Sequence, residues 1–123
     1  MNKKEAASTF LTLASGGKVD DAYARFIAPD FIHHNPYFEG DRESLKAGMA
    51  QAHATSPNKS IDVKRVFEDG DFVITHSRVV RANASEPDIA VVHIFKFRGD
   101  KVVELWDLAQ LLSKDSPNAN GPI

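Results

Sequence analysis

The apolar residues of this chain change period partway along it, and that switch constrains the fold more than any other feature. Before residue 57 they recur at helical spacing. Ala7, Phe10, Leu11 and Ala14 form one stripe, Val19, Tyr23, Phe26 and Ile27 a second, and Leu45, Met49 and Ala52 or His53 a third. After it they alternate, as strand residues do when one sheet face is buried. Helices first and an antiparallel meander afterwards make an α+β order, with N-terminal helices packed on a curved, mainly antiparallel sheet. Such an arrangement leaves a cavity between helices and sheet, where a small ligand would sit.

Punctuation divides the elements. Gly16-Gly17 stops the first helix, and Pro29 is expected to end the second. Phe31 to Pro36 reads as a short extended piece, because Pro36 biases Asn35 away from helix. Asp41 is placed to cap a third helix, which Ser56-Pro57-Asn58 ends. Four strands follow, over 61–67, 72–81, 89–97 and 102–112, with the stretch 83–88 as a loop. One domain over residues 1–112 and a loose tail over 113–123, rich in Ser, Pro, Asn and Gly, account for the 123 residues.

Composition removes several classes of function. A net charge of −2 lacks the basic face that nucleic-acid binding needs. The chain has no cysteine, which excludes disulfides, thiolate nucleophiles and cysteine metal sites and fits a cytoplasmic location. No run approaches the ~20 apolar residues of a membrane span, and Phe10 to Ala14 is too short for a signal core. His-x-His, His-Glu-x-x-His, Gly-x-Ser-x-Gly and Gly-rich phosphate-loop spacings are all missing, so neither a metal nor a phosphate cofactor is expected.

The sharpest chemical signal lies in the last two strands. On the third, the odd-numbered row is Ile89, Val91, His93, Phe95 and Phe97; on the fourth it is Val103, Leu105, Asp107, Ala109 and Leu111. Each row is apolar except for one titratable residue. A three-residue loop at Gly99-Asp100-Lys101 would set His93 opposite Asp107 with both rows inward, whereas a two-residue loop would turn Asp107 out. The first register buries the richer faces and places the two side chains ~5 Å apart at Cβ. A carboxylate poised between desolvation and a nearby imidazole can take a proton from a carbon beside a carbonyl, although the same pair can simply fix the hairpin. Around Asp107 and His93, the expected pocket wall is Phe95, Leu105, Met49, His76, Asn35 and one of His33 and His34, which point to opposite sides of an extended segment. Trp106, with Leu108 on the outer row, is placed to pack under a partner subunit.

Two segments resemble a known family. Phe31-Ile32-His33-His34-Asn35-Pro36, followed by Gly40-Asp41-Arg42-Glu43, is similar to the "I-x-H-N-P … G-(R/K)-E" segment of SnoaL-like polyketide cyclases, within the nuclear transport factor 2-like superfamily. Ile94 to Asp107 resembles their "D-I-F-R … G-K-I-V-E-H-W-D" ending, with Leu105 where an inward histidine is usual and His93 in place of the Asp before "I-F". The resemblance implies a cone-shaped, half-open barrel and a homodimer formed through the sheet. It implies acid/base chemistry without a cofactor, an aldol-type cyclisation or isomerisation of a hydrophobic ketone. Asp107 then matches the acid/base, His93 its partner, and His34 and Asn35 the pocket-facing "H-N-P" side chains. A non-catalytic domain that binds a small hydrophobic molecule, and a dimerising scaffold, are the alternatives.

Overall fold

The side chain of Asn2 accepts a hydrogen bond from the Glu5 N–H at 2.8 Å and so opens helix α1 (Lys3–Ser15), with Gly16 at its C-terminal cap. The computed structural model describes residues 1–82 and 85–123. Among these, the chain forms three helices and five strands. Helix α2 (Val19–Phe26) is shorter than its stripe suggests. Ile27 leaves the helix and begins strand β1 (Ile27–His33), so Pro29 lies inside a strand instead of ending the helix. A proline is tolerated there because β1 is an edge strand. Asp41 caps α3 (Arg42–Thr55) by accepting from the Ser44 N–H at 3.2 Å, as the sequence implies. Strands β2 (Ser60–Asp69), β3 (Phe72–Val80), β4 (Ile89–Arg98) and β5 (Lys101–Leu111) complete the chain. Of the loop expected over 83–88, Asn83 and Ala84 lie outside the described residues, and 85–88 are irregular.

The strand order is β1-β5-β4-β3-β2. The last four strands form the expected antiparallel meander, while β1 adds a parallel edge against β5. The sheet is curved and does not close, and the helices cover its inner face.

The β4–β5 hairpin corrects the expected turn yet delivers the expected register. Arg98 pairs with Lys101, so the loop is the two-residue Gly99-Asp100, and Gly99 takes a φ of +63°. That turn alone would have set Asp107 opposite Val92. Instead Phe97 pairs with Val102 while Lys96 pairs with Glu104, leaving Val103 as one extra residue on β5. Beyond this bulge the ladder has shifted by one, and His93 stands opposite Asp107. The bulge also explains why Val102, rather than the expected Val103, joins Leu105 in the core.

The core fills the inner face at the hairpin end. Phe10 from α1 meets Tyr23 of α2 (centroids 5.9 Å) and the edge of Phe95 on β4 (6.1 Å), and it has no exposed surface. Phe97, Val102 and Leu105 close the layer beneath. Phe10→Ala removes a ring from α1 that packs against both α2 and the sheet. It is expected to cost about 3–5 kcal/mol, a large share of the stability of a domain this size, as a lowered urea midpoint at unchanged slope.

Candidate functional site

Across β3, β4 and β5, Thr75, His93 and Asp107 stand side by side on the inner face, each the cross-strand partner of the next. Thr75 is fully buried, His93 nearly so, and Asp107 half-buried. Asn35 completes the row from the turn after β1. Its Nδ2 donates to Asp107 Oδ2 at 2.8 Å. Its Oδ1 accepts from the Tyr37 N–H at 3.0 Å, which fixes which way the amide points.

A second chain of hydrogen bonds fixes Asn35 in turn. The Asn35 N–H donates to His33 Nδ1 at 3.1 Å, which leaves the neutral His33 ring with its proton on Nε2. That nitrogen lies 3.2 Å from Ser44 Oγ, and the Ser44 hydroxyl donates to the Asp41 carbonyl at 3.1 Å. The buried His33 therefore ties the turn that holds Asp107 to the N-terminus of α3.

His93 is buried among apolar neighbours. Desolvation pushes its pKa down from 6.5 to about 4, and the Asp107 carboxylate opposes this only in part. The ring is therefore neutral at pH 7. Its Nδ1, like Thr75 Oγ1 and Ser77 Oγ on the same inner face, has no hydrogen-bond partner among the described residues.

A chamber of about 150 Å³ lies beside His93, walled by Leu11, Ala14, Met49, Ile61 and Val79 with Lys59. It adjoins a wider, more open cavity of about 510 Å³ near the end of α3, with Ala52, Lys59 and Val79 common to both walls. Of the pocket residues expected from sequence, His93 and Met49 reach the chamber. Asp107 and Asn35 are not among its lining residues, and neither are Phe95 and Leu105. Phe95 and Leu105 pair with each other one step nearer the hairpin, where the inner face is packed solid by Phe10 and Phe97.

His34 and His76 are corrections of a different kind, since both lie on the outer face. His34 stacks on Trp106 at 4.9 Å and 7°, and its Nε2 meets Glu104 Oε2 at 2.6 Å. It is His33, paired with the inward Leu105, that points inside. His76 belongs to the outer row of β3 and bonds to Arg65. His34 and His76 are thus separated from His93 by the sheet itself. Thr75, Ser77 and Lys59 were not identified from sequence. The inner row of β3 offered an alternation signal too weak to choose, and Lys59 follows a turn where no periodicity operates.

A family model described as SnoaL-like domain matches residues 7–105, and the chain belongs to that family. Solved structures share the fold at low identity. A candidate polyketide cyclase from Acidithiobacillus ferrooxidans is 19% identical over 89% of this chain and 92% of its own, with a TM-score of 0.75. IdmH, a candidate polyketide cyclase from Streptomyces antibioticus, is 17% identical over 89% and 93%, with a TM-score of 0.74. An uncharacterised cystatin-fold protein from Novosphingobium aromaticivorans is 22% identical over 88% and 98%, with a TM-score of 0.73. A search of the curated proteins found no match. Among the described residues, no helix is long and apolar enough to cross a membrane.

The lowered pKa of His93 has a measurable consequence. The unfolded chain gains a proton on this residue below pH 6.5, and the folded chain only near pH 4. Stability from this group is therefore intact above pH 6.5, falls as the pH drops through that window, and levels off below it. The full loss is on the order of 3 kcal/mol. Chemical denaturation from pH 7.5 to 3.5 should show His93→Leu less acid-sensitive than the native chain over this range. An unchanged difference between the two proteins across the window would contradict it.

Proposed function

We propose that this chain is a small-molecule enzyme of the SnoaL-like family. In this reading it carries out cofactor-independent proton transfer on a hydrophobic ketone, leading to an aldol-type cyclisation or an isomerisation. The observation that carries the reading is the clamped carboxylate. Asn35 holds one oxygen of Asp107 at 2.8 Å, while its cross-strand neighbour is a desolvated, neutral imidazole. Asp107 would remove the proton from the carbon beside the carbonyl and return it elsewhere on the product. His93, uncharged, offers one ring N–H toward the developing enolate oxygen, with the buried Thr75 and Ser77 hydroxyls on the same face. Asn35 acts on Asp107 rather than on substrate, and the outward His34 takes no part. The names of the two candidate polyketide cyclases of like fold are consistent with this class of substrate. A cysteine-free chain is also compatible with a cytoplasmic setting.

The apolar wall of the chamber favours a second reading, a domain that only binds a small hydrophobic molecule. Hydrogen–deuterium exchange at the α-carbon of a panel of cyclic and aryl ketones separates the two. Asp107→Asn should lower the exchange rate by about 10²–10⁴-fold while leaving ketone binding within a few-fold. Equal rates for mutant and native chain, or binding with no exchange, would leave the binding reading alone.

The outer face of the sheet bears on quaternary structure. Ile74, Ile94 and Trp106 make an apolar cross-strand row, flanked by Phe72 on one side and by Val92 and Leu108 on the other, with Phe72 and Ile74 each 38% exposed and Leu108 59%. We propose that a second copy of the chain covers it, giving a homodimer through the sheet. Sedimentation at micromolar concentration should give a dimer for the native chain and a monomer for Ile94→Lys, which places a charge at the centre of the row. A native monomer would refute the assignment.

A further inference from the structure

Asn35 is aimed by the tip of its own turn, the excursion between β1 and α3. The base of that turn is tied down. The His33 N–H donates to the Gly40 carbonyl at 3.1 Å, and Ile32 bridges to Asp41. The tip lies further out, and two of its backbone donors orient Asn35. The Tyr37 N–H reaches Oδ1 at 3.0 Å, and the Phe38 N–H faces the Asn35 carbonyl at 3.4 Å. Tyr37 itself is 86% exposed, and surface connections are mobile unless a side chain pins them.

Phe38 supplies the pin. Its ring turns back onto α3 and fits where Gly48 has no side chain. A Cβ added at Gly48 would lie 2.4 Å from Phe38 Cζ and 2.6 Å from Cε1, far inside van der Waals contact. The same ring meets His33 edge-on, with centroids 6.4 Å apart and planes at 73°. His33 is the residue whose Nδ1 receives the Asn35 N–H. Glycine is a poor helix former, and the backbone at Gly48 is ordinary helix with no positive φ. The room it leaves for the Phe38 ring is what a larger residue would take away.

We propose that Phe38 and Gly48 are positioning residues for Asp107. The ring in its notch holds the tip of the turn, the tip aims the Asn35 amide, and the amide holds one oxygen of the carboxylate at 2.8 Å. Neither residue touches substrate. Their effect reaches the reaction through Asn35 alone, as a rise in the fraction of time that Asp107 points at the carbon it deprotonates. This assignment rests on reading Asp107 as the acid/base.

Gly48→Ala in the full chain is the test, because the methyl and the ring cannot share the notch. The ring is 39% exposed, so it leaves toward solvent without opening the core, and alanine favours the helix over glycine. The urea midpoint should therefore hold or rise. The maximal rate of α-carbon exchange on the ketone panel should nevertheless fall about 10- to 100-fold, with KM within a few-fold. In an Asn35→Ala background the same change should move the rate by less than about two-fold, since the amide through which the ring acts is gone. The two side-chain N–H signals of Asn35 in a nitrogen–proton correlation spectrum, assigned by their loss in Asn35→Ala, should shift in Gly48→Ala. Unshifted signals would overturn the proposal. So would a raised KM at an unchanged maximal rate, which would mean that the expelled ring only obstructs the wider cavity, whose wall includes Gly48. If Gly48→Ala does not fold, Phe38→Ala empties the notch instead of filling it and is read by the same measurements. The amide signals need no substrate, so the two readings fail separately. Shifted Asn35 signals in a chain that exchanges no α-protons would keep the hold on Asn35 and sink the proton transfer.

Discussion

The ladder between β4 and β5 is the constraint on which this molecule depends. Side chains on a strand alternate strictly, so a one-residue slip sends every inward group outward. Here the tight turn at Gly99-Asp100 sets one register and the extra residue Val103 resets it four residues later. The core spans that reset, and the site lies wholly beyond it. Toward the turn, Phe97 and Val102 pair and belong to the packed base; past the bulge, Phe95 with Leu105 and then His93 with Asp107 face inward. Bulges recur beside functional sites because they re-aim side chains, and this one aims a carboxylate.

The polar residues on the inner face follow from where packing ends. Near the hairpin, rings from helices and sheet fill all the space, and every inward residue is apolar. One pair further along, the aromatic layer stops, and the inward positions become Thr75, His93 and Asp107. A buried imidazole without an ionic clamp stays neutral, and a half-buried carboxylate keeps contact with water. Holding Asp107 then falls to Asn35, which is itself oriented through His33 and Ser44 from a helix on the other layer.

Much of this was legible in the sequence, for reasons that can be traced. The change from helical spacing to alternation gave the α+β order, and the parity of residues 93 and 107 gave the pairing, even though the turn length expected for it was wrong. Pro29 misled because a proline ends a helix but is also at home on an edge strand, and only the tertiary pairing of β1 with β5 distinguishes the two. The choice between His33 and His34 depended on the same pairing, because alternation says they diverge but not which one goes inside. Phe95 and Leu105 share the inner face with His93, and sequence carries no measure of how far along that face the packing extends. Lys59 left no periodic trace, because it lies in the connection between α3 and β2, where neither helical nor strand spacing operates.

The stacking of His34 on Trp106 has a use beyond architecture. Trp106 is the chain's single tryptophan, and it sits on the outer face of the sheet with a coplanar imidazole 4.9 Å away and Phe72 at 6.4 Å. Intrinsic fluorescence in this protein therefore reads the side of the sheet away from the ligand chamber. Its colour and quenching follow what covers that surface and the charge state of one imidazole, and a molecule entering beside His93 must be followed by some other spectroscopic label.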